Sequence, residues 1–172
     1  MLERGGLDLP DIFARFQRWA ADEPKDIGLQ TEDVLTRGLP WNHAAVAHYR
    51  YSHQAAGNGA LTRATPSAVY FARDGQQATM DAARHIAALT HGDPAAWEGT
   101  AIFHDLMHVA LYGADPMDEL SQTLTAVLPD HRQRYAAVLA PRLASRPGHR
   151  VQRRCLTLSR LSRMGTTHHP QL

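Results

Sequence analysis

One cysteine, Cys155, stands in 172 residues, so an intramolecular disulfide is excluded. No apolar run approaches the roughly 20 residues of a membrane-spanning helix. The opening stretch, MLERGGLDLPDIF, has acids early and no apolar segment of the kind that leads a secretory signal. The expectation from these absences is a cytoplasmic protein with no membrane partner. Acidic residues are missing too, but only from one end. All 17 Asp and Glu lie at or before Asp130. Residues 1–130 set those 17 against nine Lys and Arg, a balance of −8, whereas residues 131–172 hold nine arginines and no acid, a balance of +9. Such a stretch supplies the non-specific part of nucleic-acid binding. No aromatic side chain follows Tyr135 to stack on bases, however, so nucleic acid is not the expected partner.

No segment shows sustained alternation flanked by hairpin turns, and the first 130 residues are rich in alanine and helix punctuation. They read as all-α. Leu9, Ile12, Phe13, Phe16, Trp19 and Ala20 recur at helical spacing, with Asp8 as N-cap and Pro10 in the first turn. Thr31 is placed to cap a short helix ending at Gly38, and residues 41–54 supply another helix. Pro66 suits only a first turn, so the following helix is expected to start near Thr65. Residues 77–90 predict a helix with Met80, Ala83, Ile86 and Ala87 on one face. In THGDP, Gly92 suits a left-handed C′ position, Asp93 an N-cap and Pro94 a first turn. The helix after it is expected to run to about Tyr112, burying Ile102, Phe103, Leu106, Met107 and Ala110. Pro116 to Val127 makes one more helix, with Pro129 as its stop. RYAAVLAP is compatible with a further helix, and the sequence after it is expected to be a disordered basic tail, giving a helical domain over 1–140 and the tail over 141–172.

Three short segments hold candidate chemistry. In HDLMH, His104 and His108 share one helix face at i and i+4, a spacing that suits one metal ion and a metal-dependent hydrolase. Zinc proteases, however, place Glu where Asp105 stands, and eleven histidines make chance pairs common. In AGNG, Gly57 and Gly59 bracket Asn58 just before a helix, a place where backbone N–H groups meet anions. Ordinary turning and capping explain AGNG and THGDP equally well when each is read alone.

Taken together, LERGGLDL (Leu2 to Leu9), PKDIGLQT (Pro24 to Thr31), AGNGALTRATP (Ala56 to Pro66) and ALTHGDPAAWEGTAIFHDL (Ala88 to Leu106) make the chain resemble the ADP-ribosylglycohydrolase family over about residues 1–140. The resemblance implies an all-α, orthogonally packed fold that cleaves the N-glycosidic bond joining ADP-ribose to arginine side chains of proteins. It implies a cleft for ADP-ribose, with Gly57, Asn58 and Gly59 against the ligand and His91 as a further contact. Two Mg²⁺ ions would sit beside the bond being cut. Ala60 and Thr62 depart from the pattern, where Ser and Met are usual.

The family's metals are held by a Thr-Asp-Asp motif upstream of the LERGGLDL text and by an Asp-x-Asp-Thr motif near the C-terminus. Neither occurs here, no Asp-Asp pair exists anywhere, and arginines cannot replace the oxygen ligands that Mg²⁺ requires. No catalytic or metal-ligating residue is therefore assigned. The fold is expected to be incomplete at both ends and the chain inactive alone, from a truncated reading frame that shifts near Leu143. A non-catalytic ADP-ribose-binding protein is the alternative.

Overall fold

The computed structural model describes residues 1–52 and 55–144. Of the tail expected over 141–172, with its frame shift near Leu143, residues 141–144 end a helix, and Cys155 and the rest lie outside the described residues. The chain divides into two compact units, residues 1–136 and 137–172. The described part of the second, 137–144, is the end of one helix.

The described residues are helical throughout, without strands. The helices are α1 (Leu9–Ala21), α2 (Leu29–Thr36), α3 (Ala44–Ser52), α4 (Gly59–Phe71), α5 (Gln76–Ala88), α6 (Pro94–Leu111), α7 (Pro116–Thr125) and α8 (Pro129–Ala144). A 3₁₀ turn, Ala72–Asp74, links α4 to α5. The Asp8 carboxylate accepts the Asp11 N–H and caps α1 at the expected place, and Pro10 stands in its first turn. Ile12 and Phe13 are buried with Val34, Leu35, Ile86 and Leu89 in the main core, each worth roughly 1.5–3 kcal/mol of burial. Trp19, placed inward by its spacing, is instead 39 % exposed.

α4, α5 and α6 form the centre of the first unit. Their contact faces are alanines: Ala60, Ala64 and Ala68 on α4, Ala82, Ala83 and Ala87 on α5, and Ala95, Ala96 and Ala101 on α6 are all buried. Side chains this small let helix axes approach, and they leave little volume for a conventional leucine core. Met80, Ala83, Ile86 and Ala87 are buried on α5 as their spacing predicts.

Four local signals in the sequence are read differently by the structure. Thr31 does not cap α2; it lies inside the helix, buried, and Gly28 precedes the first turn. Pro66 is interior to α4, which begins six residues before Thr65. The carbonyl that loses its helix donor belongs to Thr62, one turn back on the same exposed face. Gly92 does not take a positive φ. It is required for space, because a Cβ there would lie 2.6 Å from Ala45 O and 2.6 Å from the Tyr49 Cβ. Pro129 opens α8 as well as following α7.

The inward face of α6 is the largest correction. Ile102 is buried as expected, but Phe103, Leu106 and Met107 are half-buried and Ala110 is exposed. Glu98, Thr100, His104 and Asp105 are buried in their place. Polar groups tolerate this only when paired. Arg84 Nε and Nη2 grip the Glu98 carboxylate at 2.7 and 3.0 Å, and Arg84 also reaches Asp81 Oδ1 at 2.8 Å and Ala126 O at 3.0 Å. The Thr100 hydroxyl donates to Ala96 O at 2.7 Å. The partners of Glu98 come from outside its own helix, so no local pattern announces its burial.

Candidate functional site

The chain before α4 crosses the ends of α2 and α5, and one α2 side chain ties the three together. Gln30 Nε2 donates to Ala55 O at 3.0 Å and to Thr90 O at 3.1 Å, spending both its N–H bonds. A Cβ on Gly57 would lie 3.4 Å from Gln30 Oε1 and 3.3 Å from His91 Nε2. Gly57 has no positive φ among the described backbone, so close approach, and not conformational freedom, is what this glycine supplies. The arrangement opens a cavity of about 570 Å³ lined by Gly57, Asn58, Gly59 and His91 together. Gln30, Thr31, Thr62, Arg63 and Trp19 complete most of its wall, and Asp26 is its one acid.

The first turn of α4 faces this space. Leu61 N and Thr62 N bond to Asn58 O at 3.0 and 3.4 Å, and no side chain caps the N–H groups before them. The Asn58 side chain is exposed and makes no capping bond. Free N–H groups and the positive end of the helix dipole together favour an anion. Arg63, one turn further on, adds a full charge. Its Nη2 donates to Thr90 Oγ1 at 2.9 Å, its Nε is buried without a partner, and among the described residues no carboxylate lies within ion-pair reach. Burial pulls this guanidinium down to about 10, which leaves it charged at neutral pH.

His91 is 1 % exposed at the floor of the cavity. Burial, then the charges of Arg63 and His48, hold its imidazole down to about 3, so it is neutral at physiological pH. Thr90 Oγ1 accepts from Arg63 Nη2 and lies 2.9 Å from His91 Nδ1, where either group can be the donor. His91 Nε2, the nitrogen beside Gly57, has no protein partner among the described residues and is turned to the cavity. Gln30, Arg63 and Thr90 were not singled out from the sequence, although Gln30, Arg63 and Thr90 all lie within the quoted segments.

His104 and His108 are not brought to one centre. His104 is fully buried between α4 and α6, with Nδ1 2.9 Å from Thr100 O and Nε2 2.8 Å from Ala64 O and 3.0 Å from Ser67 Oγ. Both nitrogens are occupied, and burial holds its imidazole below the ordinary range. Among the described residues no three His, Cys, Asp or Glu side chains converge to hold a metal ion. The described residues therefore do not fit the pair of Mg²⁺ ions, and no chemical step is derived through metal.

A family model described as ADP-ribosylglycohydrolase matches residues 1–168. The chain belongs to the ADP-ribosylglycohydrolase family. The match extends beyond the quoted segments into the basic tail, and the all-helical structure agrees with the family's fold. Neither curated proteins nor solved structures give a match. Membership makes this an ADP-ribosylglycohydrolase-type hydrolase, whose substrates carry ADP-ribose. No helix among the described residues is long and apolar enough to cross a membrane.

Proposed function

We propose that the cavity over His91 binds the ADP-ribose of ADP-ribosylated arginine side chains, and that the 172 residues described by this sequence bind it without cleaving the N-glycosidic bond at an appreciable rate. The observation that supports binding is the pairing of unlike groups across one cavity. Arg63 and the uncapped turn at Asn58 and Gly59 suit the diphosphate, while His91 Nε2 is free to hydrogen-bond a ribose hydroxyl. Trp19 offers an exposed aromatic face on the same wall. Gly57 puts no side chain into the space between them.

Arg63 and Thr90 are positioning residues in this reading. The Arg63–Thr90–His91 chain holds the imidazole through Nδ1 and leaves Nε2 to the ligand. Cleavage is a separate matter. An oxocarbenium-like transition state needs a carboxylate nearby or an oriented water. Asp26, at the rim, is the one carboxylate that the cavity offers.

Calorimetry with ADP-ribose tests the binding half. Saturable binding is expected, weakened about tenfold or more by Asn58→Ala and by His91→Ala. Heat that is absent, or unaffected by either change, rejects the site. For the catalytic half, ADP-ribosyl-arginine is incubated with the purified chain and Mg²⁺. Little or no release is expected, and robust release abolished by a chelator refutes the proposal.

A further inference from the structure

On the ADP-ribose reading of the cavity, on which this rests, we infer that Gln30 is a specificity-determining residue that, beside His91, reads two neighbouring hydroxyls of one ribose. The cavity would then take ribosyl diphosphates and discriminate against their deoxyribosyl counterparts.

Gln30 stands in the first turn of α2, and two carbonyls, 25 and 60 residues away along the chain, fix its amide: Nε2 donates to Ala55 O at 3.0 Å and to Thr90 O at 3.1 Å. Carbonyls only accept, so the amide cannot turn round without losing both bonds. What it has left to offer is Oε1. Among the described residues no group donates to that oxygen, and His91 Nε2 is equally without a partner. The unpartnered side-chain atoms sealed from solvent are Arg63 Nε, Asp105 Oδ1 and His108 Nδ1; Gln30 Oε1 and His91 Nε2 are not among them, and both residues line the cavity. The point where a Gly57 Cβ would stand lies 3.4 Å from Gln30 Oε1 and 3.3 Å from His91 Nε2, so the two atoms flank the same glycine.

The two atoms ask for different things. Gln30 Oε1 only accepts, whereas a nitrogen of a neutral imidazole either donates or accepts, according to the tautomer. The ligand must therefore bring a donor to Gln30. The charge of Arg63, felt at His91, disfavours a cationic donor at this spot. Two adjacent hydroxyls serve both atoms whichever tautomer His91 holds. An adenine edge, with an amino donor beside a ring acceptor, is the competing match, and position decides against it. Gly57 adjoins the uncapped turn at Asn58 and Gly59 that suits the diphosphate, and both riboses of ADP-ribose are bonded directly to the diphosphate, whereas the base lies one sugar further off.

Calorimetry on the full chain compares ADP-ribose with analogues that lack one ribose hydroxyl, on the adenosine side or on the terminal side, and with the hypoxanthine analogue, which lacks the adenine amino group. Loss of a hydroxyl from one of the two riboses should weaken binding about tenfold or more, and the ribose that shows the loss is the one being read. Gln30→Met also gives up the bonds to Ala55 and Thr90, so its readout is the ratio of the two affinities and not either affinity alone. That ratio should fall to about one, whereas damage to the fold weakens both ligands alike and leaves the ratio at about tenfold. The analogue series on the unaltered chain decides the matter even where Gln30→Met does not fold. Deoxy analogues that bind as ADP-ribose does, discrimination that survives Gln30→Met, or a larger loss with the hypoxanthine analogue than with any deoxy analogue each overturn the assignment while leaving the cavity an ADP-ribose site. Absence of ADP-ribose binding removes both.

Discussion

His91 and His104 are both buried, on either side of the same alanine-rich helix packing, and they do opposite things. His104 spends both nitrogens on Ala64 O, Ser67 and Thr100 O and joins α4 to α6. His91 spends Nδ1 on Thr90 and turns Nε2 to a cavity that Gly57 keeps open. Burial and a shifted titration are common to both. What distinguishes a binding group from a structural one is the unpaired atom and the space in front of it. The seam around His104 and Glu98 should therefore answer to stability measurements, and the cleft around His91 to binding measurements.

The comparison is tested hardest at Glu98. Glu98→Ala leaves Arg84 without its two-pronged partner inside the fold and should cost about 3 kcal/mol in urea denaturation. Replacing Arg84 and Glu98 together by Met should recover much of that loss, since two apolar side chains do not leave a charge stranded. If the single and double variants are equally unstable, the pair is not the cause. At the glycines, Gly92→Ala drives a Cβ to 2.6 Å from the Ala45 carbonyl and should lose about 1–3 kcal/mol. Gly57→Ala meets only side-chain atoms at 3.3 and 3.4 Å, so stability should change little while ADP-ribose affinity falls. Equal thermal shifts for both glycine variants would contradict the division.

Acid gives a finer separation. His91 titrates near 3 in the folded protein and near its ordinary 6.5 when unfolded, so between those values the unfolded chain binds the extra proton. Stability from this group is complete above about pH 6.5 and is lost as pH falls toward 3, by at most about 1.4 kcal/mol per pH unit. His91→Gln should flatten that slope between pH 7 and 5, and an unchanged slope would remove His91 as its source. His104 acts in the same sense, since burial lowers it too, so some slope should persist in the variant.

The helices were legible wherever a cap or a sharp corner announced them. Asp8 with Pro10 and Asp93 with Pro94 start α1 and α6 as expected, since their capping bonds are local. Thr31 and Pro66 misled for the converse reason: each carries a strong local preference that tertiary packing overrides. On α6 the apolar spacing pointed to Phe103, Leu106 and Met107, yet buried polar groups outrank them. Their partners come from as far away as Ala64 and Arg84, and no local pattern encodes such pairing. Gly57, Asn58, Gly59 and His91 were joined as candidates only by the family resemblance that four quoted segments carry, and they line one cavity. Physical reading of each segment alone left a turn and a cap.

The sequence by itself determined that this protein is helical, that its charge is divided near residue 130, and that the carboxylate motifs expected to hold the family's metals are not among these residues. Those properties follow from composition, local capping and the presence or absence of a residue type, none of which needs a partner across the fold. Only the tertiary structure decided that Gly57 and Gly92 serve close approach and not turning, that Arg63 and Thr90 line up with His91, and that His104 is mortar while His108 and Asp105 line a cavity. Each of these is a relation between groups far apart in the chain, and it exists only once α2, α4, α5 and α6 have been brought together.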